Sequence, residues 1–166
     1  MKAILILLLT TVINQSSFSV DYAGDLIWEH IYQTDMTSSE LHKSLHLSSC
    51  FTNIEKIDDT FYLAKIPGCK VDYEKYGFKR MKLPLWVCNT DIGQSVAIIQ
   101  YKEGRYKVTI KNINLSTKTT LGYGKMRDNA LTNRRTISIS AKEYLDKIYS
   151  PIFESLCELE KFSDNW

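Results

Sequence analysis

The order and period of the apolar residues predict an α+β domain, an antiparallel sheet with two helices packed on one face. Three observations carry this. Leu26, Trp28, His30 and Tyr32 alternate with Ile27, Glu29 and Ile31, the period of a half-buried strand. Residues 95–101 and 105–113 form two further runs around Lys102-Glu103-Gly104, a hairpin signal, and the second run alternates strictly. Near each end of the chain a hydroxyl residue stands three positions before a Glu at the start of a helical apolar pattern. Helices at both ends of a strand meander fold back onto one sheet face.

The elements follow in order. Residues 25–34 read as the first strand. Thr37-Ser38-Ser39-Glu40 is a capping box, in which each side chain satisfies a backbone N–H at a helix start. It opens a helix over 38–47 with Leu41 and Leu45 on its buried stripe. Residues 51–57 and 60–66 make a hairpin across Asp58-Asp59, and Pro67-Gly68 ends it. Residues 70–82 are irregular and rich in Tyr and Lys. Residues 83–88 read as strand, which Pro84 confines to an edge or a strand start. Residues 116–135 lack periodicity and read as a long loop with Gly122 and Gly124. Residues 136–139 suggest a short strand. Ser140-Ala141-Lys142-Glu143 repeats the capping box before a helix carrying Tyr144, Leu145, Ile148, Ile152, Phe153, Leu156, Cys157 and Leu159. Pro151 lies inside that helix and is expected to kink or split it.

The N-terminus carries an address. Lys2 precedes an uncharged apolar run over residues 3–13, and Ser17 and Ser19 supply small residues for a peptidase. This is the layout of a signal peptide over residues 1–19, cleaved before Val20. The run is too short to span a bilayer, which takes roughly 20 apolar residues. The remaining 147 residues, 20–166, fit a single domain. A periplasmic or secreted location is therefore expected. The net charge of +2 excludes a general binder of nucleic acid or of anionic membrane.

In an oxidising compartment the four cysteines, Cys50, Cys69, Cys88 and Cys157, are expected to form two disulfides. Their wide spacing does not suit a zinc site. Cys69 and Cys88 bracket the irregular stretch, whereas Cys50 follows the first helix and Cys157 lies on the apolar side of the last. Cys50–Cys157 and Cys69–Cys88 are the predicted pairs.

No Gly-x-Ser-x-Gly, Ser-x-x-Lys or His-Glu-x-x-His motif occurs, and Asp58-Asp59 suits a tight turn. His42 and His46 share a helix face but have no evident third ligand, so they are read as polar surface residues. No metal, cofactor or catalytic residue is assigned. The segment 116–135 is the candidate partner-binding element, with Tyr123, Lys125, Arg127, Arg134 and Arg135 as its anchors, since Tyr and Arg dominate binding hot spots. A solvated loop is the plainer reading. Asn114-Leu115-Ser116 also matches a glycosylation sequon.

The capped helix at residues 37–41 and the Lys102-Glu103-Gly104-Arg105-Tyr106 turn into a strand resemble a secreted bacterial family. That family is a domain of unknown function with a TATA-binding-protein-like fold. The chain departs from its pattern in residues 70–82 and 116–135. The resemblance implies a TBP-like sheet and a secreted habit, and it implies no activity, because folds do not carry function. The functional expectation is an exported binding or structural module whose partner is an envelope or secreted protein. The alternatives are an inhibitor or immunity protein against an exported toxin or cell-wall hydrolase, or a small secreted hydrolase.

Overall fold

The computed structural model describes residues 17–117 and 123–161. The expected signal peptide therefore lies largely outside the described residues. Six antiparallel strands form the main sheet: β1 (Phe18–Val20), β2 (Leu26–Gln33), β3 (Thr52–Lys56), β4 (Phe61–Ile66), β6 (Ser95–Lys102) and β7 (Arg105–Lys111). They lie in the order β1-β2-β7-β6-β4-β3. A smaller sheet, β5-β8-β9, joins β5 (Thr90–Ile92), β8 (Asn114–Thr117) and β9 (Tyr123–Lys125).

Helix α1 (Ser38–Leu47) begins at Thr37, and both bonds of the capping box are present. Leu41 and Leu45 are fully buried. Near the C-terminus α4 (Ile139–Tyr144), a π-helical turn (Leu145–Tyr149) and α5 (Ser150–Cys157) follow one another directly. Pro151 thus widens the helix at a π turn. The ring has no N–H and crowds the carbonyl four residues back, and a wider turn moves that carbonyl aside.

The helices cover one sheet face, as the alternation in β2 predicts. The Trp28 indole N–H donates to Ser150 Oγ at 2.9 Å, and the Phe153 ring lies 5.5 Å from Trp28 and 6.0 Å from Phe18. Tyr32 donates to the Glu154 carbonyl, and Tyr106 donates to that of Cys157. On the α1 side His42 stacks on Tyr62, while Tyr101 donates to the Met36 carbonyl just before the helix.

Four expectations need correction. Residues 83–88 are not a strand: Pro84 caps the short helix α2 (Leu85–Cys88), since its fixed φ suits a helix start. The segment 116–135 is not one long loop, for it contains the end of β8, then β9 and α3 (Met126–Ala130). Short elements with no full period give periodicity nothing to detect. Residues 136–139 form no strand; Ile137 makes only an isolated bridge to Leu131. The last helical stretch is capped by Ser138, whose side chain accepts from the Ala141 N–H, and Ser140 lies inside it.

Phe153→Ala should destabilise the fold by about 3–5 kcal/mol in urea unfolding, because it removes a buried ring. Thr37→Ala should cost about 1 kcal/mol as a lost cap.

Candidate functional site

The face of the main sheet opposite the helices carries a mixed apolar and charged surface. Strand register sets it out in rows. Glu29, Thr109, Ile98, Leu63 and Glu55 lie side by side across five strands. Ile31, Lys107, Gln100 and Phe61 form the next row. Lys111, Val96, Lys65 and Thr52 form a third. A shallow groove of about 610 Å³ runs over Ile27, Glu29, Ile98, Lys107 and Lys111. Every helix contact described above falls on the other face.

Charges on this surface are fixed in place. Glu29 accepts from Thr109 Oγ1 at 2.7 Å and from Lys107 Nζ at 3.2 Å, and Asp21 takes Lys111 Nζ at 3.1 Å. Burial works to raise the Glu29 pKa, but Thr109, Lys107 and Lys111 together hold it below the ordinary value. The Asp21 carboxyl is lowered chiefly by the Asp25 N–H, with burial opposing and Lys111 assisting. Both groups are depressed on folding, so the stability they contribute is present at neutral pH and lost as pH falls through their folded pKa values. Glu29→Gln should therefore lower the melting temperature at pH 7 and reduce the further drop on acidification below about pH 4.

The five sequence candidates in the 116–135 segment separate in space. Tyr123 lies in β9, and Lys125 beside it is exposed. Arg127 forms an ion pair with Asp25 and a longer one to Asp128. Arg135 donates to the Ala23 carbonyl at 3.2 Å. Its side chain crosses Gly24, where a Cβ would stand 2.5 Å from Arg135 Cδ. Gly24 also has φ +80, so two constraints favour glycine there. Arg134 is exposed. Two of the four cations thus tie the segment to the β1–β2 turn, leaving Lys125 and Arg134 with exposed side chains. Nothing in the sequence marks Asp25 and Gly24 as their partners, because the contacts span over 100 residues.

No disulfide joins the four cysteines in this structure, so the Cys50–Cys157 and Cys69–Cys88 pairs are not shown. Cys88 ends α2, its thiol near the Leu85 carbonyl and Asn89 Oδ1, whereas Cys69 bridges to Ile92. Burial pushes the Cys69 thiol up to about 11, with Asp91 and Cys50 adding to the effect. Burial, then Cys50 and Cys69, raises Cys157. Cys69 and Cys157 are protonated at neutral pH and poor nucleophiles.

His42 and His46 meet edge to face at 4.6 Å. Burial, then His46 and Lys56, lowers the His42 pKa, and its Nδ1 is buried without a hydrogen-bond partner. His46 is exposed and His42 half-buried, so only one of the pair fits the surface reading. Among the described residues no group of three His, Cys, Asp or Glu could hold a metal ion. Nor is any helix among them long and apolar enough to cross a membrane.

No protein-family model matches the chain, and no curated protein does. Two solved structures are similar. One is a TBP-like protein from Parabacteroides distasonis, at 9% identity and a TM-score of 0.44, with 82% of this chain and 96% of that one covered. The other is a DUF4468 family protein from Bacteroides ovatus, at 11% identity and a TM-score of 0.39, with coverages of 83% and 90%.

Proposed function

We propose that this chain is an exported binding module without catalytic chemistry, and that it holds a protein partner across the open sheet face. The observation that carries this reading is the set of half-buried apolar side chains, Phe61, Leu63, Val96 and Ile98, on a face bearing fixed charges of both signs. An apolar centre with a polar rim is the anatomy of a protein interface.

Leu63→Lys combined with Ile98→Lys changes only this face. The variant should lose the protein captured by the wild type from its own cell envelope, while the melting temperature shifts by only a few degrees, about 1 kcal/mol. Unchanged capture would place the partner elsewhere, with the exposed Lys125 and Arg134 the next residues to alter.

Export carries a structural condition. Phe18 is 3% exposed and stands in β1 against Phe153. A cut before Val20 would remove it, whereas a cut upstream of Ser17 keeps the strand. N-terminal sequencing of the native protein should find a start just before or at Ser17, within residues 14–17, and a start at Met1 would overturn export. A start at Val20 would mean that β1 is absent from the mature fold.

A further inference from the structure

Residues 75–88 carry Lys75, Lys79, Arg80 and Lys82 and no carboxylate. That is four positive charges in a chain whose net charge is +2, so the rest of the protein is net negative. A 3₁₀ turn over Arg80–Lys82 and helix α2 shape the segment. Met81 is 99% exposed and Leu85 73%, while Leu83 and Val87 are buried and pin the segment to the core. Trp86 stacks on Tyr149 at 5.9 Å, and Phe78 packs edge-on against Tyr144. Arg80 donates to Asn89 Oδ1 at 3.2 Å. Among the described residues none of Lys79, Arg80 and Lys82 forms an ion pair.

We propose that this segment docks the protein on an anionic phospholipid surface, with Met81 and Leu85 entering the headgroup boundary and Lys79, Arg80 and Lys82 meeting the phosphates. Single exposed apolar residues need no explanation. Here two stand within five residues, at most about 14 Å apart along the chain, with three unpaired cations among or beside them. Apolar side chains set among basic ones are what an interfacial contact requires, since burial and attraction to anionic lipid then act together. An acidic protein would complement the cations but would leave two long apolar tips without an assigned role. Net charge alone argued against anionic membrane binding, and local concentration of charge reverses that argument. Trp86 and Phe78 pack on the helical layer, so a docked bilayer leaves the open sheet face free.

Vesicle flotation tests this with the whole chain. The wild type should float with vesicles of phosphatidylcholine plus phosphatidylglycerol, remain behind with phosphatidylcholine alone, and be released by high salt. Lys79→Gln, Arg80→Gln and Lys82→Gln together should weaken binding to the anionic vesicles by about tenfold or more. Met81→Ser with Leu85→Ser should also weaken it by about tenfold, through lost apolar burial. Melting curves would confirm that both variants fold, and residues 3–13 are common to all the proteins, so any membrane affinity of their own cancels. Leu63→Gln with Ile98→Gln, which alters the open sheet face without adding charge, should leave flotation unchanged, which separates this proposal from the recognition surface. Equal flotation with neutral vesicles, or no effect of either segment variant, would overturn the proposal. Retention on immobilised polyglutamate without vesicle binding would also overturn it and assign the patch to an acidic protein.

Discussion

The contact between Trp28 and the last helix decides which side of the sheet is inside. An indole buried to 0% exposure needs a partner for its N–H, and Ser150 supplies it from the first turn of α5. Phe153, one turn on, fills the space between Trp28 and Phe18. With α5 held there, Glu154 and Cys157 present their carbonyls to Tyr32 and Tyr106. One indole hydrogen bond and the two ring contacts of Phe153 thus set the position of the C-terminal helix over three strands, and among the described residues no helix covers the opposite face.

That asymmetry separates the chemistry of the molecule into surfaces of different kinds. The covered face is aromatic and hydrogen-bonded. The open face pairs Glu29 with Lys107 and Asp21 with Lys111, so these two carboxylates stay ionised while its aliphatic side chains remain half exposed. The basic segment over residues 75–88 belongs to neither face, although its aromatic residues anchor it to the helical layer. Cations that pair inside the fold, such as Arg127 with Asp25, stabilise a turn. Those left without a carboxylate are available to a partner.

The 116–135 segment shows how contact geometry changes the meaning of a charge. Arg127 and Arg135 both reach the β1–β2 turn, one by an ion pair and one by donating to a backbone carbonyl. An exposed ion pair contributes only about 0–1 kcal/mol. The crossing of Arg135 over Gly24 is the tighter constraint, because a side chain at that glycine would displace it. The four thiols follow the same logic. Even number and wide spacing point to two bridges, whereas pairing depends on distance, and burial of Cys69 and Cys157 raises both thiols.

The sequence by itself determined the elements whose signals are local. Alternation placed β2, the β6–β7 hairpin and the β3–β4 hairpin, and the hydroxyl-x-x-Glu pattern located α1 to the residue, because a cap is a contact between neighbours. Helices at both ends of the strand run also gave the one-sided packing. Only tertiary structure decided the rest. Pro84 starts a helix instead of a strand edge, since a proline φ serves either and packing of Val87 selects between them. β8, β9 and α3 are too short to show a period, and they exist because β5 offers β8 a partner and β8 offers one to β9. The pairing of Lys107 with Glu29 and of Arg127 with Asp25, and the exposure of Met81 and Leu85, follow from contacts between distant residues. No spacing along the chain records them, because an interaction across the fold depends on where both backbones lie.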